Sequence, residues 1–418
     1  MCNTTKEVAP TRIDYIDAWR FLAVVMVIQS HIFVYSGLKI TSLAPYLDQL
    51  DRLGELGVLV FFVISGFVIC SGLVAEKNKT GTICLPAFYV RRFYRIIPPL
   101  WLYLSGLLIL NAAGIIEISP QQALTSASFL CNMPFPEGCS WFAGHTWTLA
   151  YEEQFYLLFP LLILFVPLIN NSLRFSFAIG GLIIGSVLLF RTGHLLLGEY
   201  FMYFIFLLTG CCSALLPENI MSRIRRMHLA AWLSVIALLL IGIGYLPVGI
   251  EKQVKVICYP VLILLMVLGT PTQLKSIAVI FKNRQLCYLG KISYTVYLWQ
   301  ELVTGNYLGE ITFVYIAAVF VFAMISYRYL ELPFQRTATS MSNSLKAGVL
   351  LEKISYPGFV VRGYAASKSR TISDIAEAAL GTVNSENVTV DVGIVSYRAY
   401  QEQADTPTKM TGQTRKSQ

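Results

Sequence analysis

Long runs of apolar residues alternate with short polar segments along most of the chain. Ten of these runs are close to 20 residues long and are bounded by charged residues, proline or glycine. About 20 apolar residues is the length that an α-helix needs to cross a bilayer. The pattern therefore predicts ten membrane-spanning helices, at residues 18–38, 55–74, 96–114, 147–169, 174–192, 198–216, 229–246, 254–270, 288–307 and 311–330.

The composition agrees with a membrane protein. Hydrophobic residues make up 56% of the chain and charged residues only 13%; the charged fraction is about half of that in soluble proteins. The mean hydropathy is +0.62. We therefore expect an all-α polytopic membrane protein of about ten transmembrane helices, surrounded by a lipid bilayer.

Lysine and arginine residues at and between the predicted spans are distributed unevenly. If the N-terminus is cytoplasmic, seventeen of them face the cytoplasm and five face outward, and the longest outward connection, residues 115–146, contains none. Basic loops resist translocation, so this orientation is favoured, and an even number of spans returns the C-terminus to the cytoplasm. The same distribution accounts for the net charge of +8 without a nucleic-acid partner.

The composition changes after Arg336. Residues 338–418 contain sixteen charged residues and no run long enough to span a bilayer. The sequence thus predicts a transmembrane domain at residues 1–337 and a short, partly disordered cytoplasmic tail at 338–418, with a short helix at 373–380 and a strand at 388–395. The tail contains no chemical motif that would assign it a role.

The nine cysteines form neither a CxxC pair nor a spacing with histidine that would bind a metal. We therefore expect no metal site. Cys131 and Cys139 both fall in the predicted outward connection, where an oxidising compartment could join them in a disulfide.

Arg20 and His31 are ionisable residues within the first predicted span. A charged side chain in a span costs about 2.5–3.5 kcal/mol on insertion scales, so each requires a reason. Eleven residues separate the two, close to three helical turns, so they share one helix face about 16 Å apart along the axis. His31 is either a reacting or ligand-binding group or a histidine that hydrogen-bonds between helices.

Arg92 and Arg95 precede the third span at positions i and i+3, on one helix face. A guanidinium group is well suited to holding phosphate. The pair is therefore either a clamp for an anionic cofactor, together with Arg20, or an anchor that only sets the topology.

Glu152 and Glu153 lie near the start of the fourth span. One of the two carboxylates can face solvent without cost, but both cannot face lipid. Glu152 is either a structural hydrogen-bond acceptor or the partner of the reacting imidazole or of an acceptor hydroxyl.

At these residues the sequence resembles the acyltransferase-3 family of integral membrane acyltransferases, which O-acylate bacterial surface polysaccharides and lipopolysaccharide. The likeness covers about residues 12–337. It is carried in order by IDAWRFLAVVMVIQSH, GVLVFFVISGFVI, FYVRRFYRIIPPLW, TWTLAYEEQFYLLFP, ISYTVYLWQ and YRYLELPFQR. The chain departs from the family at Gln300, where relatives often have histidine; a glutamine cannot accept a proton at neutral pH.

The resemblance implies catalytic roles for His31 and Glu152 and binding of the donor by Arg20, Arg92 and Arg95. The implied donor is acyl-coenzyme A, most simply acetyl-coenzyme A, and the implied acceptor is a carbohydrate or lipid-linked sugar at the bacterial inner membrane. His31 would act as a general base or carry the acyl group. The alternative is a polytopic secondary transporter of a small anionic or sugar substrate, which predicts inverted repeats that we do not find in the sequence.

Overall fold

The structure, a computed structural model, describes residues 14–35, 46–134, 137–165, 180–181, 195–242, 248–270, 275–304 and 312–354. These residues form helices and connecting turns, with no strand among them. The first helices in the chain are α1 (Asp14–Ser30), α2 (Leu47–Thr80), α3 (Leu85–Ala112), α4 (Pro120–Ala127), α5 (Trp141–Gly144), α6 (Thr146–Phe165) and α7 (Leu195–Ala214). They are followed by α8 (Glu218–Arg226), α9 (His228–Gly242), α10 (Val248–Leu268), α11 (Lys275–Phe281), α12 (Arg284–Val303), α13 (Thr312–Ser326) and α14 (Leu332–Ile354). The all-α prediction is confirmed for the part of the chain that the structure describes.

Four of the described helical segments are long and apolar enough to cross a membrane. They are Tyr15–Val34, Gln49–Thr80, Leu85–Ala112 and Phe313–Ala347. A fifth is obtained if the bent pair Met202–Ala214 and Glu218–Arg226 counts as one span. The described part of each predicted span is mostly helical, but the span at 174–192 lies almost entirely outside the described residues. The structure thus supports a multi-pass helical membrane protein, with four or five full-length spans among the described residues, and the count of ten stays a prediction.

Helix α2 lies at the centre of the packing, against α1 on one side and α7 on the other. A Cβ atom added to Gly66 would overlap the backbone of Leu207 on α7, so the two helices approach as closely as their backbones allow. Small residues at such crossings are typical of helix packing in membranes, where close contact provides much of the attraction.

Helix α1 also packs against α12. The closest approach is at Gly290, where an added Cβ would overlap the backbone carbonyl group of Asp17. This contact fixes the position of α12 along α1, and with it the height of Gln300 relative to His31.

Helix α1 continues into a π-helical turn at His31–Tyr35. A second π-helical turn, Tyr327–Glu331, joins α13 to α14. Single π-helical turns are frequent at functional sites because they shift the side chains out of the regular helical register. His31 is the first residue of its turn.

Helix α3 begins at Leu85 with a proline in its first turn, where the missing N–H group costs nothing. It continues through Pro98 and Pro99 without ending. Arg92 and Arg95 therefore lie on the same continuous helix as the apolar residues of the third predicted span.

Helix α14 crosses the predicted domain boundary at residue 337 and ends at Ile354. The helix predicted at 373–380 and the strand predicted at 388–395 lie outside the described residues. The division into a transmembrane domain and a tail stays a prediction.

Candidate functional site

His31 lines a cavity of about 520 Å³, named here the histidine cavity. Its walls come from the end of α1, the first half of α2, the segment 139–147, α7 and the end of α12. Carboxylate groups in the lining belong to Asp51, Glu55 and Glu301, and aromatic rings are provided by Trp141, Trp147, Tyr203 and Tyr297. The cavity thus combines an imidazole, acids and flat apolar surfaces.

The imidazole of His31 contacts α12 directly. Its Nδ1 atom lies 2.8 Å from Oε1 of Gln300, whose side chain is fully buried. The ring centroid of Trp141 lies 6.3 Å from that of His31. Because an amide oxygen can only accept a hydrogen bond, this contact places the proton of the neutral imidazole on Nδ1 and leaves Nε2 as its basic nitrogen.

A second histidine borders the same cavity. His145 is 3% exposed, and its backbone N–H donates to Oε2 of Glu301 at 2.9 Å. Its ring Nδ1 forms an ion pair with the same carboxylate oxygen. The hydroxyl group of Tyr297 donates to the carbonyl oxygen of His145 at 3.0 Å, and Thr148 donates to it at 3.1 Å. His145 and Glu301 are therefore held by both backbone and side-chain contacts.

A second large cavity, of about 610 Å³, has the opposite electrostatic character. We name it the basic cavity. Asp17 and Glu76 are the only acidic residues in its described lining, against six cations. The cations are Arg20, Lys79, Arg91, Arg95, Lys291 and Lys346. A surplus of positive charge in a concave site favours a polyanionic ligand.

The rim of the basic cavity is held together by Glu76. Its carboxylate accepts a hydrogen bond from Lys346 at 2.7 Å and one from the backbone N–H of Cys84 at 3.0 Å, and it pairs with Arg91 at 3.4 Å. Arg91 also donates to the hydroxyl group of Ser342. Helix α14, which carries Ser342 and Lys346, is thus part of this cavity.

Arg20 lies where the cavities meet. It lines the basic cavity and also a narrow space of about 40 Å³, the constriction, whose walls include Phe61, Phe62 and Glu152. Val58 and Tyr297 line both the constriction and the histidine cavity. The constriction therefore shares lining residues with each of the two larger cavities.

Glu152 is separate from His31. Its two oxygens accept hydrogen bonds from Ser65 at 2.6 Å and from Tyr156 at 2.9 Å. It lines the constriction together with Arg20, whereas His31 lines the histidine cavity. The structure brings Glu152 close to the predicted donor arginines and does not bring it into contact with the imidazole.

The two arginines of α3 have different surroundings. Arg95 lines the basic cavity. The guanidinium of Arg92 lies over the rings of Phe88 and Tyr156, at 5.7 and 5.3 Å from their centroids, beside a small cavity that it shares with Arg20, Arg95 and Glu152. Arg92 is therefore packed behind the basic cavity and Arg95 faces it.

Cys131 and Cys139 form a disulfide. The bond closes a short loop just before α5, and Cys139 itself lines the histidine cavity. No group of three or more histidine, cysteine or acidic residues that could hold a metal occurs in the described part of the chain.

Sequence reasoning did not identify His145 or Glu301 as candidates, and it considered Gln300 only as a departure from relatives. The available signal was the pair of polar residues at 300 and 301 near the end of an apolar run. Such a pair also suits a helix end that meets water, so the sequence alone did not distinguish the two cases.

Comparison with known proteins gives one family match. The acyltransferase-3 family model, described as an acyltransferase domain, matches residues 13–342. The O-acetyltransferase OatA of Staphylococcus aureus strain NCTC 8325 is 29% identical over 336 residues, covering 68% of this chain and 53% of that protein. A protein of strain COL, provisionally designated an O-acetyltransferase, is 27% identical over 330 residues, covering 69% of this chain and 54% of its own length. The chain thus spans about half the length of these relatives, and no solved structure matches it significantly.

Proposed function

The chain belongs to the acyltransferase-3 family, and from this membership we propose that it is a membrane-embedded O-acyltransferase. It transfers an acyl group, most simply acetyl, from acyl-coenzyme A to a hydroxyl group of a cell-envelope polysaccharide or lipid-linked sugar. Because the chain matches only about half of its curated relatives, both substrates are part of the proposal.

One observation carries the proposal: a narrow constriction shares lining residues with both a cation-lined cavity and a histidine-lined cavity. Coenzyme A carries several phosphate charges at one end and the reactive thioester at the other. The basic cavity suits the phosphates, and the constriction suits a thin, flexible arm. Arg20 on α1 and His31 at the start of the π-helical turn that continues it are eleven residues apart, about 16 Å along a helix, which is similar to the length of that arm.

Arg20 and Arg95 are the proposed phosphate ligands, since both line the basic cavity. Arg92 supports them from behind, where it stacks on Tyr156. Guanidinium groups bind phosphate oxygens through paired hydrogen bonds, so each contact adds geometric specificity as well as charge.

His31 is the proposed reacting group. With Nδ1 engaged by Gln300, its Nε2 either removes the proton from the acceptor hydroxyl as that oxygen attacks the thioester, or attacks the thioester itself and carries the acyl group. Both routes require a neutral imidazole.

Glu152 is proposed to act at the donor end. It lines the constriction with Arg20, and Ser65 and Tyr156 fix its carboxylate. In that position it orients Arg20 and the acyl-bearing arm. This role differs from direct support of the imidazole, which the sequence left open.

The proposed setting is the inner membrane of a bacterium, with ten spans and both termini in the cytoplasm. The uneven distribution of basic residues supports it. In this orientation the basic cavity opens toward the cytoplasm, where acyl-coenzyme A is made, and the histidine cavity opens toward the envelope, where the acceptor lies.

A secondary transporter is the weaker reading. The family match and the O-acetyltransferase relatives count against it. The candidate residues also lie in two unlike cavities, whereas a transporter places one substrate site between related halves.

The test uses the purified full-length protein in lipid nanodiscs with acetyl-coenzyme A labelled in the acetyl group and with envelope glycans as acceptors. We expect release of free coenzyme A and transfer of label to the glycan as a base-labile ester. A protein that binds the donor and transfers no label, with a broad set of envelope glycans offered, contradicts the proposal.

A further inference from the structure

The two oxygens of Glu301 are used unequally. Oε2 takes both contacts with His145, from the backbone N–H group and from the ring. Oε1 accepts no hydrogen bond from any residue that the structure describes, although Glu301 is only 5% exposed. Because Glu301 lines the histidine cavity, this oxygen is accessible to a ligand there.

That oxygen belongs to a residue of the histidine cavity, which His31 also lines. Gln300, adjacent to Glu301 on α12, binds Nδ1 of His31. One turn of α12 therefore fixes the imidazole with one side chain and presents a carboxylate with the next. The proposed reacting nitrogen and a second proton acceptor border the same cavity.

His145 keeps the carboxylate in place. It is nearly fully buried, and neither ring nitrogen makes a hydrogen bond with a described residue, but Nδ1 lies against Oε2 of Glu301. Tyr103 and Tyr297 pack edge-on against its ring at centroid distances of 5.6 and 5.2 Å. The ring cannot swing away without disturbing this packing, so Oε2 stays bound and Oε1 remains the free oxygen.

We propose that Glu301 is the base that takes the proton from the acceptor hydroxyl, that His145 is its positioning residue, and that His31 carries the acyl group between donor and acceptor. The inference rests on the proposed function and decides between the two routes that it left open. If the imidazole were the only proton acceptor in the cavity, it would have to act as the base. Because a positioned carboxylate also lies there, the carboxylate can act as the base and the imidazole can act as the nucleophile.

The reaction balances in two steps. First, Nε2 of His31 attacks the thioester carbonyl, the C–S bond breaks, and coenzyme A leaves as thiolate. The resulting acyl-imidazolium retains the proton on Nδ1, which stays hydrogen-bonded to Oε1 of Gln300. Second, the acceptor oxygen attacks the acyl carbon while its proton moves to Oε1 of Glu301, and the C–N bond breaks. The proton on Glu301 then neutralises the thiolate by way of water, and both side chains return to their starting states.

The test compares Glu301→Gln with the wild-type full-length protein in nanodiscs, using acetyl-labelled acetyl-coenzyme A. The amide keeps an oxygen for the backbone N–H of His145 and removes the base. We expect acceptor-dependent turnover to fall about 100-fold or more, while label still transfers to the protein and accumulates. His31→Ala should take up no label. His145→Ala should also take up label, but its acceptor-dependent turnover should be slow. Glu218→Gln, a matched change at an exposed position on α8, should behave as the wild-type protein does.

Wild-type turnover in Glu301→Gln overturns the inference. The inference is also overturned if Glu301→Gln loses both turnover and labelling while it still binds coenzyme A and elutes as a single species. Glu301 would then act before the acyl group is transferred to His31. Failure of the proposed function itself looks different. In that case the wild-type protein releases no coenzyme A from acetyl-coenzyme A, whatever acceptor is present.

Discussion

His31 occupies the first position of a π-helical turn, where α1 leaves its regular register. The departure from α-helical geometry matters because the imidazole must reach both α12 and the cavity. Gln300 satisfies Nδ1 with a neutral amide where relatives of the family often carry histidine. A neutral partner orients the ring without adding a charge beside it, which suits the role proposed for His31.

Replacing His31 by alanine is expected to lower acyl transfer by about 100-fold to 10,000-fold. It removes the reacting nitrogen without placing a new charge in the membrane, so insertion and coenzyme A affinity should stay near normal. Turnover per inserted molecule is the measurement. His228→Ala, on α9 and outside both cavities, is the matched control, and equal losses in the two variants would contradict a specific role for His31.

Replacing Arg95 by glutamine is expected to weaken coenzyme A binding by about 10-fold to 100-fold, the equivalent of one lost charge-assisted hydrogen bond of about 1.5–3 kcal/mol. Acceptor affinity should not change, because Arg95 lines only the donor side. Calorimetric titration of the purified protein with coenzyme A measures the effect. Arg223→Gln on α8 is the control for the loss of a surface charge. Unchanged affinity for coenzyme A in Arg95→Gln would show that Arg95 serves only to set the topology.

At the scale of elements, the contact between α1 and α12 sets the geometry of the site. Gly290→Ala would place a Cβ atom against the backbone of Asp17, and overpacking of this kind costs about 1–3 kcal/mol. We expect a lower unfolding temperature in detergent and a larger fractional loss of activity, since α12 carries both Gln300 and Glu301.

Gly72→Ala is the control for this change. An added Cβ there meets no atom within 4 Å, and alanine favours the helix over glycine by up to about 1 kcal/mol. The control should therefore be as stable as the wild type or slightly more so. Equal stability of the Gly290 and Gly72 variants would show that the two helices can separate without penalty.

The helices were largely predictable because apolar length and helical period are local properties of the sequence. The periodicity predicts that Arg20 and His31 share one helix face, and each of them lines a large cavity. The pairing of Glu301 with His145 was not predictable, since it depends on how α12 packs against residues more than 150 positions away. The same holds for Glu152. Its position near the start of the fourth span is predictable from the sequence, but its contacts with Ser65 and Tyr156 depend on how the helices pack.

At the scale of the whole molecule, α14 joins the end of the described chain to the donor side. Lys346 and Ser342 bind Glu76 and Arg91 around the basic cavity. A chain that ends after Arg336 lacks both contacts, and we expect it to bind coenzyme A about 10-fold more weakly, the equivalent of about 1.4 kcal/mol. A chain that ends after Ile354 retains α14 and should keep wild-type affinity. Matched affinities of the two truncated proteins would exclude α14 from donor binding.

The constriction between the cavities has a further consequence for the cell. If two large aqueous cavities on opposite sides of a membrane were joined by a wide passage, protons would leak through it and dissipate the proton-motive force. The intervening volume, about 40 Å³ and walled in part by Phe61 and Phe62, admits no more than a few water molecules. In the proposed orientation, a thin acyl-bearing arm can fill this volume, while the phosphates of coenzyme A and the glycan stay on opposite sides. In the proposed mechanism, the narrow segment that guides the acyl group would also limit the leak of protons across the membrane.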